Sequence, residues 1–326
     1  MTKASCVGGY VGMWVCPPPV KKKTRQEKIQ IPCPPPPPPL PLSRARMPSA
    51  SRLELVLSSH GDYSRSALRE VPAGLPDGLT RLDLSHNELA ELSPLGWLGE
   101  LTELRLADNL LSSPALHRSG PLPPALRLLD LSSNRLVALP PAVLRLSSLL
   151  LLQLGGQRLR MLPRQLSQLA ALVQLEAQNN ELTEALVLDE PGLPQLRRLN
   201  LCGNRLRELR LSAGGAVPCL TDLDLGSNSI KVWPDALSKL PGLRRLSLEN
   251  NGLTSLRSTS SLPNRRIWMP TSAIHQLSEL SQLNLARNSL SALPLEIQQL
   301  KHLDSLDVSC LLPSWLRPCI LRTASR

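Results

Sequence analysis

Histidine, cysteine and carboxylate side chains are the groups in this chain that could bind a metal or carry out acid–base and nucleophilic chemistry. The five histidines are scattered along the chain, and no CxxC pair occurs among the seven cysteines. Neither a zinc site nor a disulfide framework is therefore predicted. Ser59, His60 and Asp62 have the residue types of a hydrolase triad, but a triad is assembled in space rather than along consecutive residues.

The sequence also lacks the glycine-rich fingerprints GxxxxGKS/T and GxGxxG, with which many enzymes hold phosphate groups. Cys202 and Cys219 would be reactive only if neighbouring groups stabilised their thiolates, so a structural role is favoured for both. The chain is therefore predicted to be no enzyme and to use no cofactor or metal.

A repeated leucine pattern must position these side chains. The motif LxxLxLxxNxL first appears clearly at Leu79 and recurs at steps of 22 to 25 residues, apart from one step of 37. Its copies begin at Leu79, Leu101, Leu126, Leu149, Leu172, Leu196, Leu220, Leu243, Leu280 and Leu303. A weaker strand-like copy at Leu53, Leu55 and Leu57 precedes them. A fixed period of this length indicates a repeat architecture.

Each half of the repeat predicts a local structure. The LxL segment predicts a short strand whose leucines point to the same side, because side chains alternate along a strand. The Asn follows where the chain turns away, and its amide can satisfy backbone groups that the turn leaves unpaired. The predicted ladder consists of Asn87, Asn109, Asn134, Gln157, Asn180, Asn204, Asn228, Asn251 and Asn288. The second half, as at Leu162-Pro163 and Leu293-Pro294, predicts a short helix or 3₁₀ segment that begins at the proline.

These motifs resemble the leucine-rich-repeat superfamily. The form LPxxLxxLxxLxxLxLxxNxL is similar to the short intracellular type found in Ras-suppressor and Scribble-like scaffolds, and the resemblance covers residues 53–308. It implies an α/β solenoid, or horseshoe, with a parallel sheet on the concave face and short helices or 3₁₀ turns on the convex face. It also implies protein recognition through the concave face. The predicted repeat domain spans residues 51–310, with about ten or eleven repeats.

The residue between the two strand leucines is predicted to face the concave side. Across the ten copies this position holds five acidic side chains and one basic side chain. The position before it adds the apolar pair Leu128 and Leu151. The predicted partner-binding residues are Asp83, Arg105, Leu128, Asp130, Leu151, Glu176, Arg198, Asp222, Asp224, Arg245 and Asp307. A partner with a basic or mixed surface fits this face, and nucleic acid does not, because phosphates seek Lys and Arg. Alternatively, the acids belong to the repeat consensus and are only solvated.

The long 37-residue step contains an insertion at residues 257–270. It carries Arg265, Arg266 and Trp268, residue types that are favoured at interaction hot spots. It is either a partner-binding loop or a variable loop without a role.

Both ends of the chain depart from the repeat. Residues 1–50 are predicted to form a disordered, Pro-rich basic leader, in which Pro38-Pro39-Leu40-Pro41 resembles a WW-domain ligand. Residues 311–326 are predicted to form an irregular basic tail. Either this tail folds over the end of the solenoid, which otherwise lacks a polar cap, or the chain is a shortened version of a longer protein.

The formal charge of +11 lies entirely in residues 1–52 and 309–326. Residues 1–52 hold nine basic side chains and one acid, and residues 309–326 hold three arginines and no acid. No stretch approaches the roughly 18 apolar residues of a membrane span. The cysteine usage and the missing Asn-x-Ser/Thr sequons favour a reducing compartment. A cytoplasmic location, extending to the nucleus, is therefore predicted.

The sequence thus predicts a non-catalytic scaffold or adaptor in intracellular signalling, which binds a protein on its concave face. The alternative is a fragment or isoform of a larger protein, in which the repeats are the recognition domain for a missing catalytic or signalling domain.

Overall fold

The computed structural model describes residues 59–183, 192–209, 211, 217–256 and 273–309. The chain divides into two units, Met1–Ser49 and Ala50–Arg326, and the described residues all belong to the second. The predictions for the leader, the WW-type motif, the copy at Leu53, the inserted loop with Arg265, Arg266 and Trp268, and the tail lie outside the described residues.

Eleven strands of three residues each form one parallel sheet in chain order. They are β1 His60–Asp62, β2 Arg81–Asp83, β3 Glu103–Arg105, β4 Leu128–Asp130, β5 Leu151–Gln153, β6 Gln174–Glu176, β7 Arg198–Asn200, β8 Asp222–Asp224, β9 Arg245–Ser247, β10 Gln282–Asn284 and β11 Ser305–Asp307. Each repeat therefore contributes one strand, and the predicted solenoid with its parallel sheet is confirmed.

Strand alternation explains this sheet. In β2 the middle residue, Leu82, is buried, whereas its neighbours in the strand are exposed or half-buried. Leu82 pairs in register with Leu104, so equivalent positions of successive repeats lie side by side. The outward side of the sheet, which we call the strand face, is the concave face of the predicted solenoid.

Strand β1 was not predicted, because Gly61 occupies its buried middle position in place of leucine. A β-carbon on Gly61 would lie 3.0 Å from the Tyr63 ring. The ring therefore takes the space that a leucine fills in the other repeats.

The convex segments contain two α-helices, α1 Ser113–Arg118 and α2 Pro141–Leu144, among the described residues. Four 3₁₀ helices span Arg164–Gln168, Asp235–Lys239, Ala273–Gln276 and Leu295–Gln299. In three of these, an extended proline directly precedes the first helical residue, as Pro163 does. The prediction of short helices or 3₁₀ segments beginning at proline is confirmed.

Leucines from the strands and from the convex segments pack into a single buried cluster that runs the length of the sheet. Leu152 and Leu154, on either side of the end of β5, are fully buried. Because each repeat contacts chiefly its neighbours, the stability of this core accumulates repeat by repeat.

The predicted amide ladder is confirmed by its hydrogen bonds. The Asn109 Oδ1 accepts from the backbone N–H of Leu89 at 3.0 Å, one repeat earlier. Its Nδ2 donates back to the carbonyl of Leu84 at 2.9 Å and to that of Leu106, in its own repeat, at 3.1 Å. Gln157 makes the cross-repeat bonds with its longer stem, at 3.0 Å to the Leu136 N–H and 2.6 Å to the Leu131 carbonyl.

The residue before each ladder amide adopts a left-handed backbone conformation, which turns the chain out of the strand. It is a glycine at Gly156 and Gly203, and in the other repeats a residue with a side chain. The non-glycine members are His86, Asp108, Ser133, Asn179, Ser227, Asn250 and Arg287. The repeat tolerates the cost of positive φ here, because the N–H of this residue bonds the next repeat, as from Ser133 to the Gly155 carbonyl at 2.7 Å.

Replacing Leu154 by Asp should destabilise the chain severely, because the carboxylate would enter the leucine core without a partner. We expect a loss of more than about 3 kcal/mol in the free energy of unfolding, measured by urea denaturation. Val137→Asp is the control, since Val137 is 56% exposed and the change should be nearly neutral. An L154D chain as stable as V137D would show that the leucine register is misplaced.

Replacing Asn180 by Leu should cost about 2–5 kcal/mol, because the Leu159 N–H and the Leu154 carbonyl would lose their partners inside the core. Thermal unfolding followed by circular dichroism measures the change. Gln168→Leu, at an exposed amide, controls for the added apolar side chain. Equal melting temperatures for the two variants would contradict a structural role for the ladder.

Candidate functional site

The strand face presents three neighbouring columns of side chains. The edge column consists of the residues just before the strands, the first column of their first residues, and the central column of their last residues. Neighbouring strands lie about 4.8 Å apart, so each column is a closely spaced row. The central column contains Asp62, Asp83, Arg105, Asp130, Gln153, Glu176, Asn200, Asp224, Ser247, Asn284 and Asp307. Asp62 is a member that the leucine pattern missed, because β1 has no leucine.

The central-column carboxylates have a structural task. An Oδ1 of Asp130, Asp224 and Asp307 accepts the backbone N–H two residues later, each at 2.9 Å. Asn200 and Asn284 make the same bond with their amide oxygens. The preference for Asp or Asn in this column therefore has a local cause, and the acids still place negative charge on an open face.

Asp62 accepts the same backbone bond and a side-chain hydroxyl bond as well. It accepts the Ser64 N–H at 3.0 Å and the Ser64 hydroxyl at 2.7 Å. These two bonds hold the pKa of the Asp62 carboxyl below its usual value of 3.8, against a small opposing effect of burial. Because the folded pKa is lowered, the stabilisation is present at neutral pH and is lost only as the pH falls through that pKa.

Ion pairs within and between the first and central columns balance much of the charge at the start of the sheet. Arg81 pairs with Glu103 at 3.1 Å, and Arg105 lies 3.8 Å from Asp83 and 3.9 Å from Glu103. The arginines are more than half exposed, so these pairs contribute little to stability. They do reduce the charge that Asp83 and Arg105 offer to a partner.

A depression of about 430 Å³ lies over strands β6 to β11. It brings together the predicted site residues of the later repeats, four carboxylates and two guanidinium groups. They are Glu176, Arg198, Asp222, Asp224, Arg245 and Asp307. Because Arg245 is paired with Asp222, the remaining carboxylates outnumber the single unpaired arginine. The structure does not place Asp83, Arg105, Asp130, Leu128 or Leu151 in this depression; they lie on β2 to β5.

Leu128 and Leu151 lie side by side in register on the first column, both half-buried. The structure adds two edge-column neighbours, Leu150, which is 39% exposed, and Val173. The Leu150 N–H donates to the Arg127 carbonyl and the Val173 N–H to the Leu150 carbonyl, both at 2.8 Å. We call Leu128, Leu150, Leu151 and Val173 the apolar patch.

A second depression, of about 400 Å³, lies on the edge and first columns further along the sheet. Its charged lining consists of Arg197, Arg198, Arg244, Arg245 and Asp222. Sequence reasoning missed Arg197 and Arg244, although each directly precedes a strand. The motif could have identified them, because each directly follows the first leucine of its copy, Leu196 or Leu243.

The described residues contain no group of three or more His, Cys, Asp or Glu that could hold a metal ion. Within the same ranges, no helix is both long enough and apolar enough to cross a membrane.

The two described cysteines differ in environment. Cys202 is partly buried, whereas Cys219 is exposed. Burial raises the pKa of the Cys202 thiol, and the charges of Asp224 and Glu249 raise it further, against a hydrogen bond from Ser227 that lowers it. Cys202 therefore remains a thiol at neutral pH.

Comparison with known proteins identifies these repeats. A leucine-rich-repeat family model matches residues 124–182 and 194–253, and a second matches residues 78–99. The chain belongs to the leucine-rich-repeat superfamily. The resemblance drawn from the sequence is confirmed at this level.

Relatives and solved structures extend this result. Mouse podocan is 30% identical over 74% of this chain and 34% of its own length. Trophoblast glycoprotein of Macaca fascicularis is 31% identical over 72% of this chain and 49% of its own length. The leucine-rich-repeat ectodomain of the Arabidopsis thaliana membrane receptor kinase GASSHO1/SCHENGEN3 superposes with a TM-score of 0.50 at 27% identity, covering 73% of this chain and 31% of that one. The chain thus spans a third to a half of the curated relatives named here.

The predicted cytoplasmic location is wrong. The relatives include a glycoprotein and the ectodomain of a membrane receptor, and they are secreted or membrane-receptor proteins that point to an extracellular location. The prediction failed because the leucine core and the amide ladder impose the same pattern inside and outside the cell. The repeat fold constrains neither the spacing of the cysteines nor the presence of Asn-x-Ser/Thr sequons.

Cys202 should react with iodoacetamide more slowly than Cys219 at pH 8, because its thiol is partly buried and its pKa is raised. Peptide mapping by mass spectrometry after timed alkylation of the native chain measures both sites. In urea the two rates should converge. A faster native reaction at Cys202 would contradict the raised pKa.

Proposed function

We propose that this chain is a recognition module that binds a protein partner across its strand face. The observation that carries the proposal is the unbroken register of eleven parallel strands, which aligns three columns of outward side chains. At about 4.8 Å per strand the face is about 50 Å long, enough for a standard protein interface. The GASSHO1/SCHENGEN3 ectodomain, which has the same kind of repeat, was solved in complex with CASPARIAN STRIP INTEGRITY FACTOR 2.

The depression over β6 to β11 is the proposed centre of this interface. Glu176 and Asp224 lie in its lining without an ion-pair partner among the described residues. A Lys or Arg of the partner would meet these carboxylates where water is partly displaced, and such complementarity sets orientation and association rate. The partner is therefore proposed to present a basic group to the central column.

Binding is a better account of this face than catalysis. Among the described residues, carboxylates of the strand face such as Asp130 accept backbone N–H groups, and Arg81 and Arg245 pair with carboxylates. One histidine–carboxylate pair, His86 Nδ1 and Asp108 Oδ2 at 2.8 Å, lies in exposed turns. Within the described residues, no nucleophile is hydrogen-bonded to that imidazole ring, so the pair lacks the arrangement of a hydrolytic site.

A second proposal concerns the larger protein. The chain spans about a third of podocan and about half of trophoblast glycoprotein. We propose that the chain is part of a longer protein, in which the repeats are the recognition domain. Mapping the transcript beyond the last codon tests this proposal, and a stop codon in all transcripts would contradict it.

The double variant Glu176→Gln with Asp224→Asn should lose protein partners without unfolding. It removes two charges from the depression but keeps the oxygens that accept from Gln174 and from the Gly226 N–H. The full chain is immobilised to capture proteins from secreted and cell-surface fractions, which are quantified by mass spectrometry. We expect at least about tenfold less of the specific partners, equivalent to 1.4 kcal/mol.

The matched control is Glu100→Gln with Glu279→Gln, which removes the same charge from two exposed residues outside the strands. It should capture the same proteins as the wild-type chain. Identical capture by the central-column variant, with its melting temperature unchanged, would refute the proposed interface.

A further inference from the structure

The four arginines of the second depression come from two repeats that are separated by one other repeat. Arg197 and Arg198 lie at the start of β7, and Arg244 and Arg245 at the start of β9. The repeat that contains β8 lies between them and contributes Thr221, directly before the strand. Residues 47 positions apart in the sequence are thus brought to one depression by the stacking of repeats.

Most of this positive charge is not neutralised. Arg245 pairs with Asp222, the acidic residue of the depression. Among the described residues, no carboxylate pairs with Arg197, Arg198 or Arg244. All three are exposed and line the depression of about 400 Å³, which therefore has three guanidinium groups without a carboxylate partner in the described ranges.

Guanidinium groups bind oxyanions through planar pairs of N–H donors, and carboxylates are bound in this way. The two hydroxyl groups nearby are already used as donors. Thr221 donates to Asp222 at 2.7 Å and Ser281 to the Arg244 carbonyl at 3.1 Å. The donors left for a ligand are the guanidinium groups and the neutral amide of Gln282, so the lining favours a ligand that carries negative charge.

The apolar patch lies on the same two columns, directly before the arginines. Val173 precedes β6 and Arg197 precedes β7, and the Arg197 N–H donates to the Val173 carbonyl at 2.8 Å. The edge column therefore passes from apolar to basic without a gap. A single extended segment lying across the strands would contact both surfaces.

We propose that the apolar patch and the arginine depression together bind one extended acidic segment of a protein partner. Apolar side chains of the segment lie over Leu150 and Leu151, and its carboxylates lie over Arg198 and Arg244. The proposal rests on the proposed function and specifies the partner's chemistry at the edge of the face. From β5 to β7 is about 10 Å, and from β5 to β9 about 19 Å, at 4.8 Å per strand. At about 3.3 Å per extended residue, three to six residues separate the apolar anchor from the acids.

A long polyanion such as a sulfated polysaccharide fits this surface less well. The four arginines of the depression form a compact group, which Leu150 and Val173 separate from Arg127 on the same column, and carboxylates border them on the central column. Glu176 and Asp224 lie on that border, next to β7. A uniformly charged chain crossing the face would meet these acids, whereas a short segment with one acidic end and one apolar end would not.

The test uses the full 326-residue chain and four fluorescein-labelled probes, followed by fluorescence anisotropy at about 50 mM salt, where screening is weak. The first peptide contains two leucines, a Gly-Ser-Gly-Ser spacer and three aspartates. The second has lysines instead of aspartates, and the third has serines instead of leucines. The fourth probe is a heparin-derived oligosaccharide. We expect the first peptide to bind at least about tenfold more tightly than each of the others.

Variants then locate the binding. Arg198→Gln with Arg244→Gln should weaken binding of the first peptide by at least about tenfold. Its matched control, Arg135→Gln with Arg158→Gln, removes two exposed arginines from outside the strands and should change nothing. Leu150→Ser should weaken binding by about threefold to tenfold, compared with Val137→Ser at an exposed position outside the patch.

The central-column variant Glu176→Gln with Asp224→Asn should still bind the first peptide. Two results together would refute the acidic-segment proposal and leave the proposed function standing. The central-column variant would lose protein capture, and the arginine variant would bind the first peptide as tightly as the wild-type chain does. Arginine-dependent binding of the oligosaccharide with no peptide binding would overturn the proposal in favour of a glycan site. Equal binding of the aspartate and lysine peptides would overturn it as well.

Discussion

The bond between each ladder amide and the preceding repeat is the interaction on which the rest of the structure depends. One side chain, such as that of Asn109, accepts a backbone N–H and donates to a carbonyl of the repeat before it. It thereby satisfies buried backbone groups that a chain leaving a three-residue strand would otherwise leave unpaired. These bonds fix the register between repeats, and the register decides which residues become neighbours on the strand face. The leucine core supplies the stabilisation by burial, and it favours the same register, because a slip of one residue would turn the buried leucines outward.

The same register gives the strand face its charge pattern. Aspartates of the central column bond to the backbone two residues later, which explains their recurrence without any partner. Structure and binding are compatible here, because one carboxylate can accept a local N–H and still present charge to a ligand. In the edge column Thr221 and Ser281 donate to a carbonyl of the preceding repeat, but the side chains of Leu150, Arg197 and Arg244 make no such bond among the described residues. The composition of this column changes from apolar at Leu150 to basic at Arg197 and Arg244. This difference makes the edge the more informative part of the face about a partner's chemistry.

The known relatives support the predicted fold but contradict the predicted compartment. Membership of the leucine-rich-repeat superfamily agrees with the fold, and the solved complex of the GASSHO1/SCHENGEN3 ectodomain with CASPARIAN STRIP INTEGRITY FACTOR 2 supports the proposed role in recognition. The compartment inferred from cysteines and sequons was wrong, because those features are not required by the repeat and vary independently of it. Fold and compartment are separate properties of this architecture, and only the fold is constrained by the leucine pattern.

The sequence by itself determined the period, the strands β2 to β11, the amide ladder and the positions that face outward. It could do so because each of these depends on contacts between equivalent positions of adjacent repeats, which the motif repeats at a fixed spacing. Strand β1 escaped detection because Gly61 and the Tyr63 ring replace the leucine that the motif requires. Only the tertiary structure decided which charges pair, as Arg245 does with Asp222, and which remain open. It also decided that arginines of β7 and β9 share a depression beside the apolar patch. The physical reason is that pairing on an open face depends on the separation and conformation of side chains across several repeats, and no local pattern in the sequence specifies these.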